Sequence, residues 1–145
     1  MGRKIVVTSG KGGVGKTTLT ASLGIAIAET GKKVVLVDAD IGLNNLDVVL
    51  AVENKVVYDV LDVISGKCRL KQALIQDVDN PTLYVLPSAK IQDSPLITAC
   101  SFRNVVDALA LNFDFVIIDC PAGIDNGFHR AVSDTISPRT RFTTS

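Results

Sequence analysis

Short apolar runs alternate with segments of helical period along this chain. Residues 4–9 (KIVVTS) are β-branched and predict a buried strand. Residues 17–29 place Leu19, Leu23 and Ile27, with Ile25 and Ala26, at helical spacing, and Thr30-Gly31 closes that helix with glycine as a left-handed cap. Residues 33–37 (KVVLV) predict a second strand ending at Asp38, and residues 38–46 are turn-rich, with Ile41, Leu43 and Leu46 turned inward. Residues 58–64 predict a short helix stopped by Ser65-Gly66, and residues 70–75 a further helical piece. Residues 83–86 (LYVL) predict a third strand stopped by Pro87. Residues 101–111 read as a helix with Phe102, Val105, Val106 and Leu109 on one face and Ser101 as N-cap. Residues 113–118 (FDFVII) predict a fourth strand running into Asp119. Strands apolar on both faces, alternating with helices, predict an α/β fold with a mostly parallel sheet. Residues 133–145 have neither period, and Pro138 interrupts them, so an irregular tail is expected there.

Composition narrows the function classes. The chain has 145 residues, 47% of them apolar and 21% charged, which excludes disorder by low hydrophobicity. Lys+Arg and Asp+Glu both number 15, so a broad basic surface for nucleic acid is not expected. Trp is absent and aromatics make up 5%, which disfavours base-stacking platforms. Cys68, Cys100 and Cys120 are widely spaced and form no CxxC, so neither a disulfide framework nor a zinc site is expected. That usage suits a reducing compartment, and the apolar run after Lys4 is too short for a signal h-region. A cytosolic protein is the expectation.

Residues 10–17 (GKGGVGKT) match the phosphate-loop pattern G-x-x-x-x-G-K-[ST], and a predicted strand precedes them and a helix follows. Gly10, Gly12, Gly13 and Gly15 let successive backbone N–H groups curl around phosphates without Cβ clashes. Around them, Lys11, Val14, Lys16, Thr17 and Thr18 complete the nucleotide-binding stretch. Lys16 would bridge the β- and γ-phosphates, and the Thr17 hydroxyl would ligate Mg²⁺. Lys11 is a second, early lysine that the loop's own phosphates do not require.

Asp38, Asp40 and Asp119 follow predicted strands and fall on the loop's edge, because ligands of wound sheets sit outside the strands' carboxyl ends. Asp119 after an apolar strand has the form of a Walker B metal site. Of Asp38 and Asp40, one could assist the metal while the other positions the attacking water. Residues 121–123 (PAG) suit a loop that moves with the γ-phosphate. His129, the cysteines and the Lys67-Arg69-Lys71 cluster read as ordinary structural or solvated positions.

Residues 11–18 (KGGVGKTT) resemble the deviant Walker A motif of the ParA/MinD family of ATPases. Residues 35–50, 58–75 and 119–128 resemble the septum-placing branch of that family, and the likeness covers about residues 2–132. The resemblance implies a three-layer P-loop NTPase fold, with residues 2–132 as the N-terminal part of the ATPase domain and residues 133–145 outside it. It implies a homodimer sandwiching ATP and Mg²⁺. Lys11 then reaches the partner's phosphates, Lys16 and Thr17 hold the loop's own phosphates and metal, Asp40 positions water with Asp38 beside it, and Asp119 is the Walker B carboxylate. MinC, and MinE or an equivalent scaffold, are the implied partners. The fold is expected to be truncated here, lacking the family's later strands, adenine-recognition segment and membrane-binding amphipathic helix. Full-length members are peripheral on the inner face of the cell membrane.

Three other functions compete. A ParA-like partition ATPase would bind DNA, which zero net charge disfavours. A redox relative would hold an iron–sulfur cluster, which three scattered cysteines support weakly. A nucleotide-binding fragment without full activity is the third.

Overall fold

The computed structural model describes residues 2–9, 14–38, 55–87, 99–119 and 141–144. Its elements run β1 (Arg3–Ser9), α1 (Val14–Ala28), β2 (Val34–Asp38), α2 (Val60–Ile64), α3 (Leu70–Ala73), β3 (Ile75–Gln76), β4 (Leu83–Leu86), α4 (Ala99–Asn112), β5 (Phe115–Asp119) and β6 (Arg141–Thr144). The strands form one sheet in the order β3-β4-β2-β5-β1-β6. All neighbours are parallel except the two-residue β3, which pairs antiparallel with β4.

Both faces of the sheet are covered, which is why its strands are apolar on both sides. Val34, Leu36, Val85 and Ile117 point to one face with Ala21 and Ala28 of α1. Val6, Val35, Val37, Val116 and Ile118 point to the other, with Val60 of α2, Ala73 of α3 and Val105, Val106 and Leu109 of α4. The result is a three-layer α/β arrangement, as the family resemblance implies, built on the mostly parallel sheet that the alternating pattern predicts.

Helix α1 packs its spaced apolar residues Leu23, Ile25 and Ile27 partly buried against the core. Its buried positions are the small residues Thr20, Ala21, Gly24 and Ala28, whereas Leu19 is 39% exposed. A Cβ on Gly24 would lie 2.7 Å from Leu36 Cδ2, so α1 lies close against β2 and its larger side chains flank the contact. The helix ends as expected at Gly31, with φ +88° and its N–H donating to the Ala28 carbonyl at 3.0 Å.

Four further boundaries are corrected. Helix α1 begins at Val14 rather than Thr17, since glycine at position 15 does not bar helical backbone. Helix α4 begins at Ala99, which places Ser101 inside the helix rather than at its N-cap. The piece at residues 70–75 divides into α3 and the edge strand β3 because Leu74 is extended, with ψ 134°. Residues 141–144 of the expected irregular tail form β6, parallel to β1 with Thr8 opposite Thr143 and Ser9 opposite Thr144. The turn-rich stretch 39–46 lies outside the described residues.

Candidate functional site

The sheet reverses winding direction at its centre. From β1 the chain passes over one face through α1 to β2. From β4 it returns over the other face through α4 to β5, which lies between β2 and β1. The carboxyl ends of the neighbouring strands β2, β5 and β1 share one edge, and the crevice outside it is the usual ligand position in wound α/β sheets. Strand β1 ends at Ser9 on this edge, and α1 starts at Val14.

The first turn of α1 carries Val14, Gly15, Lys16 and Thr17 and contains no acidic residue. Its leading N–H groups lack intrahelical partners, and its positive dipole end is not neutralised from within the helix. A helix N-terminus of this kind favours anions. Thr18 is exposed, while Thr20 is fully buried. Sequence reasoning did not single out Thr20; its signal was a hydroxyl one turn on from Thr17, on the face toward the sheet.

Asp38 and Asp119 are the last residues of β2 and β5 and stand opposite each other in the parallel register. Adjacent strands lie about 4.8 Å apart, so the two carboxylates are neighbours. Asp119 also pairs with Val7 of β1, two residues before the end of that strand. Both aspartates are 0% exposed. Burial of an ionisable carboxyl is costly unless its oxygens are engaged, so a pair in register at strand ends concentrates oxygen donors at one point of the sheet edge. Carboxylate oxygens are the donor type that hard divalent cations prefer.

Of the expected site, the structure sets Asp38 opposite Asp119 and places Val14, Gly15, Lys16 and Thr17 in the first turn of α1. Gly10, Lys11, Gly12, Gly13 and Asp40 lie outside the described residues, as do residues 121–123, Cys120 and His129. Cys68 is half-buried beside α2. Burial, then the Asp62 and Asp59 carboxylates, push its thiol pKa above the ordinary value, opposite to the shift of a reactive cysteine. Lys67, Arg69 and Lys71 are exposed, as expected of a solvated cluster. Among the described residues, no helix is long and apolar enough to cross a membrane.

Comparison with known proteins agrees with this geometry. The family profile described as an AAA domain matches residues 2–133. The septum site-determining protein MinD of Bacillus subtilis is 52% identical over 134 residues, covering 92% of this chain and 50% of that protein. A solved MinC:MinD cell division complex from Aquifex aeolicus superposes with a TM-score of 0.77 at 47% identity, covering 90% of this chain and 52% of that one. The septum site-determining MinD of Pyrococcus horikoshii, solved in complex with Mg-ADP, superposes with a TM-score of 0.79 at 36% identity, covering 90% and 53%. The chain spans about half the length of the curated relatives it matches. By these matches the chain belongs to the AAA-domain family over residues 2–133, and there it corresponds to the N-terminal portion of the MinD proteins.

Proposed function

We propose that this chain carries the phosphate- and magnesium-binding part of a dimerising ATPase switch that helps place the bacterial division septum. The observation that carries the reading is the buried pair Asp38 and Asp119, set in register at the carboxyl ends of β2 and β5. The Mg-ADP complex of the Pyrococcus relative supports the nucleotide and metal, and the Aquifex MinC:MinD complex supports MinC as a partner. A MinE-like regulator and the homodimer rest on the resemblance.

In this reading Lys16 and the N–H groups of the loop and first α1 turn hold the β- and γ-phosphates. Thr17, Asp38 and Asp119 would hold Mg²⁺, which would supply positive charge to the phosphate oxygens. Asp40 positions the attacking water, and Lys11 of one protomer stabilises charge at the partner's γ-phosphate. A cation supplied in trans in this way is worth about 10³–10⁵ in rate in other NTPases.

Thermal unfolding with and without MgATP, together with phosphate release, tests the proposal on the full chain. Nucleotide at a hundredfold excess over Kd should stabilise the protein by about 2.7 kcal/mol. Lys16→Ala should abolish both the stabilisation and hydrolysis. Lys11→Ala should keep the stabilisation and lose hydrolysis. Wild-type hydrolysis by Lys11→Ala would overturn the in-trans role, and an unchanged melt with MgATP would overturn the site.

A further inference from the structure

At the opposite end of the sheet, beside the amino-terminal ends of β2, β4 and β5, lies a cavity of about 620 Å³. Its apolar walls are Leu70 and Leu74 from the α3 segment, Tyr84 of β4 and Phe113 at the entry to β5. Tyr84 and Phe113 meet edge to face, with ring centroids 5.4 Å apart. Lys33 and Lys71 also line it. The volume lies within the range of about 300–1,000 Å³ typical of small-molecule sites. Five strand residues separate this end from the phosphate crevice, a distance of about 15 Å.

The polar groups here are unevenly committed. The Gln76 side-chain amide donates to the Pro81 carbonyl at 2.7 Å, and that of Asn112 donates to the Ala108 carbonyl at 3.2 Å. Asp114, the nearby carboxylate, accepts from the Lys33 backbone N–H at 2.9 Å. The two ammonium groups are not committed in that way. Among the described residues, neither Lys33 nor Lys71 forms an ion pair with a carboxylate. Lys33 Nζ stands 4.9 Å from the Phe113 ring centroid and 5.8 Å from that of Tyr84, which holds its charge over the aromatic wall. An aromatic and leucine wall with two unneutralised ammonium groups complements one ligand chemistry, a flat apolar body bearing an acid group.

We propose that this cavity binds a small aromatic anion, with its ring against Leu70, Leu74 and Tyr84 and its acid group between Lys33 and Lys71. The site is separate from the nucleotide crevice and does not depend on the ATPase reading.

Fluorescence titration of the full chain with anilinonaphthalene sulfonate tests this, with uncharged phenylnaphthylamine as comparison. The sulfonate should bind saturably at one site, and saturating MgATP should leave its affinity unchanged. Exchanging both lysines (Lys33→Gln with Lys71→Gln) should weaken sulfonate binding by about fivefold, the scale of two partly exposed charge contacts. It should leave phenylnaphthylamine binding unchanged. Lys55→Gln, a surface exchange elsewhere, should alter neither. Far-UV circular dichroism confirms that the double variant folds, and labelled-protein NMR shifts should centre on Tyr84 and Phe113. Equal sulfonate affinity in the folded double variant, displacement by MgATP, or shifts centred away from these rings would overturn the proposal.

Discussion

A Cβ on Gly2 would lie 1.9 Å from the Phe113 carbonyl oxygen, a distance no side chain can occupy. The contact exists because the Gly2 N–H donates to the Ala110 carbonyl at 2.7 Å, drawing the start of β1 against the end of α4. Gly2→Ala must push these segments apart, and overpacking of this kind costs about 1–3 kcal/mol. Urea unfolding should show that loss, with nucleotide affinity kept because the clash lies at the end of the sheet away from the loop. The sequence could not announce Gly2, since a Met-Gly start carries no pattern and the clash is with a residue 111 positions on. Asp38 and Asp119 were legible for the opposite reason. Each ends an apolar run, and in a parallel sheet that places both on the ligand edge. That they face each other in register was not legible, because strand order is set by crossovers that local pattern does not encode.

At the scale of elements, the short helix α2 is fixed at both ends by its own sequence. The Asp62 N–H donates to Asp59 Oδ1 at 3.0 Å, and the Asp59 N–H donates to Asp62 Oδ2 at 3.0 Å, a reciprocal cap with aspartate in the place of glutamate. At the other end the Lys67 N–H donates to the Asp62 carbonyl at 2.9 Å and the Gly66 N–H to the Val63 carbonyl at 3.2 Å, with Gly66 at φ +83°. That is a Schellman closure, which needs a left-handed residue. A five-residue helix has little stability of its own, so these ends decide whether it forms. Gly66→Ala should cost about 1 kcal/mol, the usual strain of a side chain in the left-handed region. Asp59→Ala should cost about 1 kcal/mol through the lost cap. Both losses should appear in urea melts and as faster amide exchange at residues 60–64. The stop at Ser65-Gly66 was readable because glycine marks it, whereas the start of α4 was misplaced by two residues. Ser101 resembles a cap, yet Ala99 and Cys100 precede it in the helix, and nothing local distinguishes a capping serine from one in the first turn.

For the whole molecule, the alternation of two-sided apolar runs with helices was enough to give the parallel α/β class. It was not enough to give β6, whose four residues lie in a stretch without period and gain their place by pairing with β1. On α1 the apolar spacing marked Leu23, Ile25 and Ile27, which pack partly buried against the core, but not the small residues Ala21, Gly24 and Ala28 that make the closest approach. The sheet separates the interior into two clusters, one beneath α1 and the other beneath α2, α3 and α4. Ile117 belongs to the first and Leu109 to the second, and both are fully buried. Their side chains lie on opposite sides of the backbone layer and share no packing partner within one cluster. Ile117→Val should cost about 0.5–1.5 kcal/mol and Leu109→Ala about 2–5 kcal/mol. Because well-separated sites add to within about 0.3–0.5 kcal/mol, the double variant should lose the sum of the two in equilibrium urea unfolding. Its transition should remain single and followed alike by far-UV circular dichroism and fluorescence, since both clusters rest on the same five-residue strand β5. Two separated transitions, or a coupling energy above about 1 kcal/mol, would show that the faces do not fold as one unit joined through that strand.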